Sequence, residues 1–289
     1  MTESFELTNP VRESPSFKVS HFDDGQQFSE SHRYNYFIVI IILRGKGRLM
    51  ADSSIYDFSD KCLMSFSLYQ PFQLTFNGPC EGYLIAFHPD FFCLHLHRAE
   101  VSCNGILFNN IYESPLIRLT EDDVFEIFPA VTGLFTEMQR KKQETEILIS
   151  YLKVMLIGAS RIKLSLRESS SDSIRQLPGK LISLQAAIEA NFRPIHHASA
   201  YAGMLNHSQS ALNKSCKETF HKTLSELISD RIILEAKREL YLTSSPVKTI
   251  AYNLGFTDEF HFSRYFKRHI GISPQYFRDT VGIGKANAA

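Results

Sequence analysis

From Val247 to Arg278 the chain reads VKTIAYNLGFTDEFHFSRYFKRHIGISPQYFR, and the reading of the whole protein turns on this stretch. Pro246 suits the first turn of a helix, where its missing N–H costs nothing. Val247, Ile250, Ala251 and Leu254 recur at helical spacing and make one apolar stripe. Ala251 is small enough for a second helix to approach closely. Gly255 ends the helix where a left-handed residue is needed. Thr257 or Asp258 can cap the next helix. Phe262 and Phe266, four residues apart, point inward and read as core, not as a cofactor box. Arg264, Lys267 and Arg268 fall largely away from that stripe. Helix, glycine turn, then helix with a basic outer face is the helix-turn-helix pattern.

A weaker copy lies upstream. Ala198 to Leu205 is its first helix, Asn206-His207-Ser208 its turn with Ser208 as cap, and Gln209 to Phe220 its second helix. Leu212 and Cys216 face inward there, while Ser210, Asn213, Lys214 and Lys217 face out. Leu224 to Thr243 reads as one helix joining the copies. About twenty residues at roughly 1.5 Å each span about 30 Å. Successive major-groove faces on one side of B-DNA are roughly 34–36 Å apart, so one chain could present a helix to each.

Charge agrees with this reading. The formal net charge is zero, but Pro178 to the C-terminus carries 14 Lys and Arg against 9 Asp and Glu. That is a net of +5, balanced by −5 on the residues before it. A basic C-terminal part on a neutral chain suits a polyanionic partner.

The first half has a different character. Residues 1–16 are polar, with Pro10 and Pro15, and are expected as a loose arm. Tyr36–Leu43, Leu63–Phe66, Phe72–Phe76 and Tyr83–Phe87 are short apolar or alternating runs separated by turn residues, the pattern of strands. Arg44-Gly45-Lys46-Gly47 reads as a hairpin turn. So many short strands suggest a small barrel or sandwich. After Thr120, which has cap chemistry, two helices are expected over 121–141 and 143–166. The second has a broad apolar face, with Ile147, Tyr151 and Val154 beside Leu148, Leu152 and Met155; it packs on its own domain or on a second subunit. The serine-rich run near Ser169 marks a linker. The expected division is therefore an arm (1–16), a sensor or dimerisation domain (17–166), a linker (167–177) and a helical domain (178–289).

Five cysteines without a Cys-x-x-Cys spacing argue against a disulfide framework or a zinc ribbon and for a reducing compartment. The longest apolar run has eight residues, too short for a bilayer. No signal pattern opens the chain, and a cytoplasmic location is expected. There is no phosphate-binding glycine loop and no Gly-x-Ser-x-Gly elbow. His95-Leu96-His97 offers two ligands without a third and reads as a surface pair.

The C-terminal residues resemble the signature of the AraC/XylS family of transcription regulators. The resemblance rests on Ile250-Ala251, Gly255-Phe256, Phe262-Ser263-Arg264, Phe266-Lys267, Gly271 and Pro274 through Arg278, with Arg231, Ala236 and Leu240 in the connecting helix. It covers about 100 residues and implies a seven-helix DNA-binding domain with two helix-turn-helix units. By this resemblance the DNA-facing residues are Ser210, Asn213, Lys214 and Lys217 in the first unit. In the second they are Thr257, Glu259, Phe260, Ser263, Arg264, Lys267 and Arg268. Arg264 suits guanine, Asn213 adenine and Phe260 a thymine methyl, while Lys217 and Lys267 suit phosphates. Cys216 and His221 depart from the pattern, standing for an inward aromatic and a glycine.

More loosely, His32, the Arg44-Gly45-Lys46-Gly47 segment and Pro71 resemble the cupin-like sensor domain of such regulators. The second His and the Glu of a metal-binding cupin are missing, so no metal, cofactor or catalytic residue is expected. Tyr34, Phe37, Phe66 and Tyr83 read mostly as core. The fold class expected is thus α+β: a small cupin-like β-barrel with trailing helices, then an all-α domain. The expected function is a non-enzymatic regulator of promoter DNA, controlled by a small-molecule effector. Its further partners would be RNA polymerase and a second copy bound through helix 143–166, with no membrane. The rivals are a cupin-type enzyme with a regulatory tail, and an effector-free regulator whose first half only dimerises.

Overall fold

The computed structural model describes residues 3–9, 14–97, 100–101, 103–172 and 178–281. The chain divides into a sheet-bearing unit and a helical unit.

The first unit holds strands β1 (Glu3–Asn9), β2 (Ser14–Phe22), β3 (Phe37–Arg44), β4 (Gly47–Ala51), β5 (Ser54–Phe58), β6 (Cys62–Phe66), β7 (Phe72–Phe76), β8 (Glu81–Phe87) and β9 (Leu116–Arg118). Six make one antiparallel sheet in the order β1-β2-β8-β3-β6-β9; three make a second, β5-β4-β7. The expected cupin-like architecture is present as two facing sheets that do not close into one barrel. Alternation on β3 explains the facing. Ile38, Ile40 and Ile42 enter a shared core with Leu49, Phe72 and Leu74 of the second sheet. The Phe66 and Phe72 rings stack at 4.1 Å between centroids. Each such side chain, fully buried, contributes roughly 1.5–3 kcal/mol relative to exposure.

Three expectations for this unit change. The arm expected over 1–16 is not loose where it is described: β1 pairs with β2 from Glu3↔His21 to Asn9↔Ser14. Phe5 anchors it, edge-on to Phe135 at 5.3 Å. The Arg44–Gly47 segment is not a hairpin, because β3 pairs with β6 and β8 while β4 belongs to the other sheet. It is a corner between sheets. Gly45 turns it with φ +133, and Gly47 lies so close to the Thr75 carbonyl that a Cβ would stand 2.0 Å from that oxygen. The expected linker starts late, since the second helix runs on to Asp172. Serine costs an established helix only tenths of a kcal/mol per residue, and propagation adds a bond for each residue fixed. Residues 173–177 of that linker lie outside the described residues.

Helices α1 (Glu121–Met138) and α2 (Thr145–Asp172) complete the unit. Thr120 and Asp123 form the capping box at the start of α1. Phe128 and Phe135 of α1 pack edge-on against Tyr83 of β8. Gly133 lets α2 close in, for a Cβ there would stand 2.5 Å from the Tyr151 ring. On α2, Leu148, Leu152, Met155, Leu156, Ala159 and Ile162 are buried, while Ile147, Tyr151, Val154 and Ile157 keep an exposed stripe. His95 and His97 lie in turns, not on a strand, and His97 stacks on Phe92 and pairs with Glu100.

The second unit has helices α3 (Gly179–Asn191), α4 (Ala198–Met204), α5 (Gln209–Phe220), α6 (Leu224–Leu242), α7 (Val247–Asn253), α8 (Glu259–Ile270) and α9 (Pro274–Val281). Residues Ile111–Glu113 also group with it. Tyr112 donates its hydroxyl proton to Glu189 Oε1 at 2.9 Å and lays its ring 5.8 Å from that of Phe220. Thr223 and Glu226 form a capping box at the start of α6. Arg278 of α9 donates to the carbonyls of Ser245 and Leu240, tying the last helix to the end of α6. All five cysteines are buried; burial pushes the Cys216 thiol up to about 11 and Cys62 and Cys103 up to about 12. Those three thiols are protonated at neutral pH and serve as core.

Candidate nucleic-acid interface

Two helix pairs share one construction. In the second pair, α7 buries Ile250 and Ala251, and the chain turns through Gly255 at φ +81. Asp258 then caps α8, its carboxylate accepting from the N–H groups of Phe260 and His261 at 3.0 and 3.1 Å. Of the two caps considered, the aspartate serves. Gly271, at φ +90, closes the far end. Phe262, Phe266 and Ile270 fill the inner face. A chain of ring contacts links Phe256, Phe262, Phe266 and Phe277 at 5.3, 5.9 and 5.7 Å. That aromatic core fixes the rotation of α8 about its own axis, and so decides which residues face out.

Phe260, Arg264, Lys267 and Arg268 are exposed, and Phe260 keeps 74% of its surface in solvent. A large phenylalanine left that bare on a helix with a full aromatic core suits contact with something apolar outside the chain. Glu259 and Ser263 sit at the flank and are half-buried, and Thr257 is exposed in the turn. His261 is exposed beside this group and was not singled out in the sequence. Its signal was present, since 261, 264 and 268 recur at helical spacing.

In the first pair, Ser208 caps α5 by accepting from the Ala211 N–H at 3.2 Å. Leu212, Cys216 and Phe220 are buried. Ser210, Lys214 and Lys217 are exposed. Asn213 is half-buried, and its Oδ1 accepts from the N–H of Leu224 at 3.0 Å. That bond satisfies a free donor at the start of α6 and occupies the oxygen that adenine reading requires. His221 ends α5 in the left-handed region, with φ 58, as the glycine position demands.

Helix α6, which joins the pairs, shares with the segment before α4 a charge network absent from the sequence reading. Glu235 of α6, 7% exposed, accepts from Arg193, Arg231 and Arg238. Burial alone would raise its pKa; the hydrogen bonds and charge of Arg238 and Arg231 outweigh that and hold it below the usual glutamate range. Among the described residues no group of three His, Cys, Asp or Glu side chains is placed to hold a metal ion.

A family profile described as a helix-turn-helix domain matches residues 201–280, from the middle of α4 into the last turn of α9. The raffinose operon transcriptional regulatory protein RafR of Pediococcus pentosaceus is 35% identical over 79 residues. That match spans 27% of this chain and 28% of RafR. The transcriptional activator RhaS of Escherichia coli is 22% identical over 267 residues, 86% of each chain. The C-terminal part of the chain carries a helix-turn-helix domain of the kind found in these transcription regulators. The matched residues lie within the helical unit and hold the two helix pairs just described. Among solved structures, ToxT of Vibrio cholerae covers 97% of this chain and 98% of its own at 17% identity and a TM-score of 0.40.

Proposed function

We propose that this protein is an AraC/XylS-family regulator that reads promoter DNA through the outer faces of α5 and α8, under the control of a small molecule bound by the sheet-bearing unit. The observation that carries the DNA reading is the face of α8, where Phe260, Arg264, Lys267 and Arg268 stand exposed over the Phe262–Phe266 core. Arg264 is assigned to guanine and Phe260 to a thymine methyl, the contacts those side chains make well in a major groove. Ser210 joins them on α5. Thr257, Glu259 and Ser263 flank α8. Lys214 stands with Ser210 on the base-facing side of α5, while Lys217, Lys267 and Arg268 are assigned to phosphates, where they set register without reading sequence. Asn213 belongs to this region through its place on α5, and its bond to Leu224 favours a supporting part there.

The effector reading is supported by the sandwich interior. Tyr34 and Tyr36 pack on the shared core. Tyr34 shares a hydrogen bond with His32 Nδ1, and the other ring nitrogen, Nε2, is closed off from solvent without a partner. A buried imidazole nitrogen with nothing to bond is where a polar ligand group would be repaid. The exposed stripe of α2 supports self-association, and RNA polymerase is the further partner at the promoter. The relatives named above are regulators, and no catalytic role is assigned. No described helix is long and apolar enough to cross a membrane, and the cytoplasm is the proposed location.

Selection of bound sequences from a random DNA pool with the full chain tests the central claim. An enriched motif with two half-elements about one helical turn apart is the expected result. No enrichment by folded protein would remove it.

A further inference from the structure

The segment that precedes α4 is tied to the turn that precedes α8. Arg193 donates to Glu235 Oε1 at 2.8 Å, to Glu239 Oε1 at 3.1 Å and to the carbonyl of Asn253 at 2.9 Å. Asn253 in turn donates its side-chain amide to Glu239 Oε2 at 3.3 Å. His196 Nε2 lies 3.0 Å from the carbonyl oxygen of Arg193 and 2.8 Å from that of Leu254, so one ring proton serves both segments. Glu235 and Glu239 stand one turn apart on α6 and receive these bonds. Arg231, from the same helix, holds Glu235 and Glu189 of α3 together, with its guanidinium 3.8 Å over the Phe192 ring.

Apolar packing alone would keep both helix pairs on α6, but it is non-directional and tolerates small slides and rotations. Charged hydrogen bonds with fixed geometry do not. The carboxylates of these pairs are nearly buried while Arg193 is partly exposed; such pairs add little net stability, because desolvation offsets their attraction, and their best-attested use is to fix register. We infer that the Arg193–Glu235–Glu239–Asn253 clamp sets the separation and relative rotation of α5 and α8, and thereby which spacing between two DNA half-elements the protein accepts. These are positioning residues. The inference rests on the proposal that both helices read DNA.

The test uses the full chain and its selected site, with one or two base pairs inserted or removed between the half-elements. The variants are Glu235→Gln and Arg193→Met, with Arg193→Lys as the conservative replacement. Wild type is expected to lose about tenfold or more in affinity for each altered spacing. The two clamp variants should lose less than about threefold on that scale, while base preference within each half-element stays as in wild type. Arg193→Lys should recover part of the spacing penalty. Folded variants that bind all sites more weakly yet keep the wild-type spacing penalty would overturn the inference, since the clamp would then only stabilise the unit. If thermal unfolding shows that Glu235→Gln or Arg193→Met does not fold, Asn253→Ala removes only the amide bond to Glu239 and is judged by the same ratio. A wild-type protein that selects no site fails the DNA reading itself, which is a separate outcome.

Discussion

Gly255 and the carbonyl oxygen of Arg193 meet so closely that a Cβ on the glycine would stand 1.9 Å from that oxygen. The glycine also holds φ at +81, a region that costs other residues roughly 1–2 kcal/mol. Two independent demands therefore fall on one position, the second being backbone against backbone with no flexible end to yield. Gly255→Ala should destabilise the helical unit by more than the dihedral cost alone. Urea unfolding of the full chain, followed by far-UV circular dichroism, measures it. An unchanged midpoint would show that the turn can move away from Arg193.

Arg264 and Lys267 share the exposed face of α8 but are assigned different partners. Arg264→Ala should weaken the specific complex by about 1–3 kcal/mol and relax preference at one base pair. Lys267→Ala should weaken binding to all sequences alike and lower the salt slope by about one. Titrations of specific and random duplexes at several salt concentrations separate the two. Equal loss on both duplexes for Arg264→Ala would contradict base reading.

Asn213 gives a sharper choice. Because its oxygen caps the first N–H of α6, Asn213→Ala should cost about 1 kcal/mol of stability, as lost helix caps do. The selected DNA motif should then be unchanged. If the motif instead loses one A·T pair while the unfolding midpoint holds, the side chain turns outward in the complex and reads the base.

How much of this was legible beforehand follows from where the signals lie. The α7–α8 pair could be read because every signal is local: Phe262 with Phe266, Asp258 at the cap, Gly255 and Gly271 at the turns. Strand β1 could not, since Phe5 and Leu7 are too few to show a period and the partner Phe135 lies far along the chain. The Arg44–Gly47 corner looked like a hairpin because local sequence shows that a strand ends but not which sheet receives the next one. The serine run suggested a break by composition, yet α2 had already been nucleated by the apolar residues before it. The clamp was invisible, for Arg193 and Glu235 are ordinary charged residues until folding brings positions 42 apart together.

Glu235 makes stability depend on acid. Its folded-state pKa is depressed by the arginines despite burial, so unfolding takes up a proton at low pH. The stabilisation is fully present above the usual glutamate range and is lost as pH falls through the depressed folded value. Denaturation of the full chain from about pH 6 to about pH 3, across the carboxylate range, should show wild type losing stability with a steeper slope than Glu235→Gln. Parallel slopes would mean that other carboxylates carry the acid sensitivity.

Val154 keeps 58% of its surface exposed in the α2 stripe that Ile147, Tyr151 and Ile157 continue. An exposed residue with no charge to lose should accept a carboxylate at little cost to its own subunit, within about 0.5 kcal/mol for a surface change. In a packed interface between two copies the same carboxylate would be desolvated without a partner, which costs several kcal/mol. Val154→Glu should therefore leave thermal unfolding of the subunit near wild type while shifting sedimentation toward the monomer. It should also weaken binding to a DNA carrying two full sites more than to one carrying a single site, because only the first gains from a linked second subunit. If wild type sediments as a monomer at all accessible concentrations and the variant binds both DNAs as wild type does, the stripe does not join two copies.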